Sequence, residues 1–177
     1  MSAEPANLEI LLAEAVHDRL VSAIRSRFPR KCFGYLLSEG SPTAVTDFIL
    51  FEENVRNEPK SRRQFESYGR YFVEHHDAGF VASPKETWRV QKEIWARGLS
   101  EVGVFHSHRR HPANFSGIDY ELHMERFENL WHLIVSMRNP LLPQLRAFSV
   151  SRRGVRELGV RLVRSTAVAD LEGASLA

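Results

Sequence analysis

The stretch from Glu101 to Asp119, Glu-Val-Gly-Val-Phe-His-Ser-His-Arg-Arg-His-Pro-Ala-Asn-Phe-Ser-Gly-Ile-Asp, restricts the fold of this chain more than any other. Val102 to Phe105 is short, apolar and rich in β-branched residues, which predicts a buried strand. Side chains on a strand alternate between faces, so His106 and His108 share one face at its end and Ser107 takes the other. Two imidazoles so placed make two corners of a zinc site. After a polar loop, Ser116-Gly-Ile-Asp119 has the S-x-x-D form of a helix start and carries a carboxylate into the first turn. His106, His108 and Asp119 then supply three protein ligands, and a catalytic zinc keeps its fourth position for water. Each half also has a plainer reading: H-x-H as the polar end of a strand, and Ser116 with Asp119 as a capping box.

The combined spacing says more than either half. His106-Ser107-His108, then the seven residues Arg109 to Phe115, then Ser116 and Asp119 resembles the zinc motif of the JAMM (MPN+) metallopeptidases: H-[ST]-H, seven residues, Ser, two residues, Asp. All four motif positions match. The resemblance implies one zinc ion per chain held by His106, His108 and Asp119, with Ser116 hydrogen-bonding the oxyanion formed when a peptide carbonyl is attacked. It also implies a substrate class, the C-terminal Gly-Gly end of a ubiquitin-like or sulfur-carrier protein, cut at a peptide or isopeptide bond.

One family position departs from the pattern. The family's strand after the first helix opens with Pro-x-Glu-x-x-Gly, and that Glu is the general base. Here the run is Pro29-Arg-Lys-Cys-Phe-Gly34, in register at proline and glycine, with Lys31 where the base stands. A carboxylate beside a metal-bound water can take its proton and hand it to the leaving amine, whereas an ammonium cannot accept one. Three alternatives stay open. Lys31 is neutralised by burial; another carboxylate such as Glu39, Glu52 or Glu53 reaches the site; or the chain is a binding module that recognises a ubiquitin-like tail without cutting it. A further reading takes the same three ligands as the facial triad of an iron(II) oxygenase.

The 177 residues suit one domain with a sizeable core. A net charge of +2 argues against a nucleic-acid-binding or membrane-adsorbing protein. Cys32 is the one cysteine, so no internal disulfide forms and a reducing cytoplasm is expected. A homodimer is left open.

Residues 1–7 read as a flexible leader, 8–163 as a single domain and 164–177 as a loose tail. Leu8 to Leu12 predicts a first strand, and Val16, Leu20 and Ile24 the apolar stripe of a helix that ends before Pro29. Cys32 to Leu37 and Ala44 to Phe51 predict strands, with Asn54 to Phe65 a polar loop. Residues 66–82, with Tyr68, Tyr71, Phe72, Phe80 and the pair His75-His76, read as an insertion that shapes a substrate groove or as an aromatic-anchored surface excursion. Ser83-Pro84-Lys85-Glu86 starts a helix closed by Gly98, on which Trp88 and Trp95 are expected to pack against the sheet. Within the 109–115 loop, Arg109 and Arg110 read as solvated charge or as contacts for a carboxylate, and His111 as loop surface. Tyr120, Met124, Phe127 and Trp131 fall at helical spacing after Asp119. His123 and His132 read as packing residues, Leu141 and Leu142 as exposed. Leu145 to Ser151 and Val155 to Val163 predict a closing hairpin about Arg152-Arg153-Gly154. The sum is a mixed α/β fold, a curved sheet flanked by helices, and the resemblance implies a JAMM/MPN-like (cytidine-deaminase-like) architecture over most of the chain.

Overall fold

The computed structural model describes residues 8–164; the leader read at 1–7 and the tail beyond 164 lie outside the described residues. Strand β1 (Glu9–Ala13) runs directly into helix α1 (Glu14–Arg27), which buries Val16, Leu20, Val21 and Ile24. Then come β2 (Phe33–Ser38), β3 (Ala44–Val45), β4 (Asp47–Leu50), α2 (Pro59–Ser67) and α3 (Arg70–Glu74). Helix α4 (Pro84–Arg97), β5 (Ser100–His108), α5 (Gly117–Arg126) and β6 (Trp131–Ser136) follow, and the hairpin of β7 (Gln144–Ser151) and β8 (Gly154–Val163) completes the order.

One mixed sheet takes in all eight strands, in the order β3-β1-β8-β7-β6-β5-β2-β4. Its two margins are consecutive in the chain. The run read as a single strand from Ala44 to Phe51 breaks at Thr46, whose N–H donates to the Leu37 carbonyl at 2.9 Å. The half before the break pairs parallel with β1, and the half after it pairs antiparallel with β2. A short stretch of chain thus serves both edges, and the sheet curls until it is nearly closed.

Two apolar clusters lie on opposite faces. Leu20, Ile24, Leu36, Phe105 and Leu133 pack with α1 on one face; Phe33, Leu37, Ile49, Val90, Ile94 and Val104 pack with α4 on the other. His106 and His108 share the parity of Val104, so they emerge on the α4 face. Parallel pairing of β5 with β6 sets His106 beside Ile134 and Val104 beside His132. Ile134 packs with Ala113 and Phe148 and with the Tyr120 and Met124 of α5, which fixes that helix over the end of β5.

Several local expectations are corrected. The tryptophans of α4 face outward, Trp88 at 56% and Trp95 at 62% exposure, and stack edge-to-face on each other. The neighbouring stripe Glu86, Val90, Ile94 takes the core. Glu86 is tolerated there because it accepts from the Glu52 N–H at 2.7 Å and pairs with Arg89. Trp131 belongs to β6 and sends its indole N–H to the Pro42 carbonyl; α5 ends at Arg126. The expected loop before Phe65 is helical from Pro59, where proline occupies the first turn.

Buried Arg56 organises the segment that follows. Its guanidinium lies over the Phe65 ring and donates to the carbonyls of Phe72 and Ala78 at 2.8 and 2.9 Å. Asn54 accepts from the N–H groups of Arg56 and Val81, closing the same loop at its base. Residues 66–82 are therefore an ordered wall built on an internal cation.

The β2–β4 pairing depends on a residue without a side chain. A Cβ at Gly34 would fall inside contact distance of the Ile49 carbonyl oxygen, a backbone atom that cannot swing away. Gly34→Ala is expected to destabilise the fold by about 3 kcal/mol, the scale of an overpacked core, read from urea unfolding midpoints. An unchanged midpoint would show that this edge yields freely.

Candidate metal centre

The site begins with a pairing between β5 and the residues that precede β2. The Ser107 N–H donates to the Cys32 carbonyl, and the Cys32 N–H donates to Ser107 Oγ, both at 2.8 Å. Ser107, the residue that faces away from the two histidines, thereby anchors the neighbouring strand. Continuing the antiparallel register of Phe33 with His106 sets Lys31 opposite His108.

On the other face the imidazoles converge. His106 Nε2 and His108 Nε2 are 2.9 Å apart, and His106 Nε2 is 3.3 Å from Asp119 Oδ1. One ligand atom from each of the three residues lies within 4.8 Å of the other two. The tautomer of His108 follows from its other nitrogen. Nδ1 lies 2.8 Å from the Pro112 carbonyl, which can only accept, so Nδ1 carries the hydrogen and Nε2 presents a lone pair.

The capping box of α5 orients the carboxylate. Ser116 sends both its N–H (2.9 Å) and its hydroxyl (2.6 Å) to Asp119 Oδ2, and Ser116 Oγ accepts from the Asp119 N–H at 3.2 Å. Oδ2 is thus committed to the helix start, and Oδ1 is the oxygen turned to His106.

Protonation states fit ligation. Burial pushes the Asp119 carboxyl up, but the charge and hydrogen bond of His106 and the bonds from Ser116 outweigh it, leaving Asp119 ionised far below the usual carboxylate range. Burial, reinforced by His106, lowers His108 to about 4. Two imidazole nitrogens and one carboxylate oxygen are a donor set that can hold a divalent cation.

His108 and Asp119 form one side of a cavity of about 330 Å³ whose walls also include Lys31, Tyr71, Asp77, Arg109, Arg110, His111 and Ser116. Burial draws the Lys31 ammonium down; Asp119 and Asp77 draw it up and Arg56 down again, for a net downward shift. Asp77 carries the second carboxylate of the lining, and Arg109 Nη2 stands 3.4 Å from its Oδ2. The alternatives considered from the sequence lie elsewhere. Glu52 and Glu53 line the adjoining depression, where Glu52 pairs with Arg27, and Glu39 lies just past the far end of β2. His111 is exposed on the cavity rim, outside the donor cluster. His75 stacks on Tyr71, and neither it nor His76 joins the cluster.

Two residues missed as partners of the site are Asp77 and His132. Asp77 comes from an irregular segment with no spacing that could betray it. His132 had a signal. It lies on the strand beside β5 with the same parity as His106, and its Nε2 is 2.6 Å from His106 Nδ1. His123 continues the contact at 3.0 Å, so both are more than packing residues.

A curved mixed sheet that brings an H-x-H strand end against a capped helix bearing an aspartate defines a JAB/MPN-like domain. The chain belongs to the family described as prokaryotic homologs of the JAB domain, whose profile matches residues 13–149. Its fold is similar to that of a protein from Desulfitobacterium hafniense determined in solution: 22% identity, TM-score 0.66, covering 88% of this chain and 93% of that one. A solution structure from Salinibacter ruber aligns at 23% identity and TM-score 0.54, over 88% and 91% of the two chains. A JAB1/MPN domain protein from Archaeoglobus fulgidus aligns at 18% identity and TM-score 0.43, over 85% and 98%. No curated protein matches the chain.

The buried imidazoles make the metal-free protein acid-sensitive. His108 and His123 are lowered from 6.5 to about 4 by burial, and His132 well below 6.5 by the same cause. Between pH 4 and 6.5 the unfolded chain binds more protons than the folded one, so stability rises with pH across that window. It is fully present above about pH 6.5, the unperturbed histidine value, and is lost on acidification. Asp119, with a depressed value, adds its loss only below about pH 4, its unfolded value. Urea midpoints at pH 7.5, 5.5 and 4.5 are expected to fall in that order; equal midpoints would contradict the assignment of buried neutral histidines.

Proposed function

We propose that the chain is a zinc-dependent hydrolase that cuts a peptide or isopeptide bond at the C-terminal Gly-Gly end of a ubiquitin-like or sulfur-carrier protein. The observation that carries this reading is the convergence of His106, His108 and Asp119 within 4.8 Å of one another, with His108 and Asp119 opening onto the cavity. Membership of the JAB family, which includes isopeptidases, supports it. When bound, zinc supplies a Lewis acid and brings the pKa of a coordinated water toward neutrality.

The chain's own groups take the remaining roles. Asp77 is the carboxylate that faces the cavity without serving the donor cluster, and it is the acceptor for the proton of the attacking water. Arg109 steadies it. Lys31 stands between Asp119 and Asp77 in the electrostatic sense, its pKa drawn down by burial and up by the two carboxylates. Ser116 orients Asp119 through its hydroxyl; with that hydrogen already committed, its place in stabilising an oxyanion is to donate while the carboxylate shifts its load to the Ser116 N–H. No helix among the described residues is long and apolar enough to cross a membrane, and a lone buried Cys32 suits a reducing cytoplasm.

A second reading is favoured by Lys31 itself: a cation opposite His108, where the family keeps its base, suits a module that holds the tail without turning it over. The iron(II) oxygenase reading shares the three donors and requires iron on metal analysis and consumption of oxygen.

The deciding experiment combines metal analysis with incubation of a Gly-Gly-extended peptide. Zinc near one per chain and cleavage abolished by a chelator are expected, with Asp77→Asn lowering kcat about 100-fold, the scale of a lost general base, while zinc stays bound. Binding of the tail without cleavage would establish the module and retire the hydrolase.

A further inference from the structure

Behind the donor cluster three imidazoles run in series, all of them at most 1% exposed. His106 Nδ1 lies 2.6 Å from His132 Nε2, and His132 Nδ1 lies 3.0 Å from His123 Nδ1. Aromatic rings enclose them: Phe80 beside His106 and His132, Phe115 beside His132 and His123, Phe127 beside His123. Neither His132 nor His123 has a hydrogen bond to a carboxylate, so the rings behind His106 are neutral.

Each nitrogen–nitrogen contact needs one hydrogen, and a neutral imidazole carries one hydrogen in all. The chain therefore has two directions. In the outward one, His106 Nδ1–H donates to His132 and His132 Nδ1–H donates to His123, which leaves His106 Nε2 as a lone pair. In the inward one every hydrogen reverses, and His106 Nε2–H points at Asp119 Oδ1 and the His108 lone pair.

The far end leans only weakly to the outward direction, through the nearby Leu130 carbonyl, which favours a hydrogen on His123. His123 Nε2 is buried and makes no hydrogen bond. The near end has a strong preference in each state. A divalent ion needs the lone pair of His106 Nε2; in its absence, a hydrogen there relieves the repulsion among three lone pairs.

We propose that His132, with His123 behind it, is a positioning residue that presents His106 as a metal ligand and reverses its hydrogen bonds when the metal leaves. This rests on the metal-centre reading above. Metal-bound histidines commonly donate their second nitrogen to a carboxylate or a backbone carbonyl, which fixes one tautomer. An imidazole acceptor differs because it can also donate through the same nitrogen. The ligand thus keeps a satisfied partner in both states, and metal release does not strand a buried N–H.

The test uses the full chain and zinc. By competition against a chromophoric chelator, His132→Phe is expected to weaken zinc affinity about 10–100-fold, the scale of an outer-shell loss. His132→Gln, whose amide oxygen can take the place of Nε2, is expected to recover most of it. Imidazole ¹⁵N spectra of the wild type should show hydrogens on Nδ1 of His106, Nδ1 of His132 and Nε2 of His123 with zinc, and on the opposite nitrogens without it. Equal zinc affinity of wild type and His132→Phe, or a hydrogen on His132 Nε2 in the zinc-loaded protein, overturns the proposal while the metal centre stands. A wild type that binds no zinc takes both down. The tautomer spectra need no variant, so they decide even where His132→Phe fails to fold.

Discussion

Three ligand atoms are gathered at the end of β5, and the bonds around them hold them there. His106 Nε2, His108 Nε2 and Asp119 Oδ1 have no hydrogen to share when each is in its ligating form. Such a cluster survives only where surrounding bonds leave the side chains no better orientation. His108 is locked by the Pro112 carbonyl, Asp119 by both donors of Ser116, and His106 by His132. Each lock belongs to a different structural element: a loop, a helix start and a neighbouring strand. The parallel β5–β6 pairing and the docking of α5 over Ile134 are what bring those elements together.

The electrostatics of the cavity set the Lys31 side chain against two carboxylates, Asp119 and Asp77. Asp77 is presented by the segment that buried Arg56 ties down. Arg109 faces that carboxylate from the loop immediately after His108. Asp77 is a loop carboxylate, with 62% of its side chain exposed, and is held less firmly than one on a sheet.

What the sequence disclosed follows from how each feature is encoded. The donor triad was legible because all three residues lie within one short stretch, where strand parity and helix capping are local rules. The closing hairpin and the stripe on α1 were legible for the same reason. Asp77 reaches the cavity from an irregular segment that no local period marks, and His132 is marked only once β6 is known to lie beside β5. The α4 tryptophans misled because two apolar stripes run side by side on that helix, and propensity cannot say which one meets the sheet. The smaller aliphatic stripe won, with Glu86 accommodated by a backbone donor and Arg89. The break at Thr46 was hidden too, since nothing in Ala44 to Phe51 reveals that its halves pair with different strands.

That shared run has a bearing on how the molecule behaves in company. Open sheets expose rows of unsatisfied amides that recruit foreign strands, and long flat margins are where proteins stick to one another. Here the terminal strands number two and four residues and are joined end to end. The margin is short and folded back on itself, and Asp47, paired with Arg19 and Arg97, adds charge to the β4 edge, so little of it is open to a foreign strand.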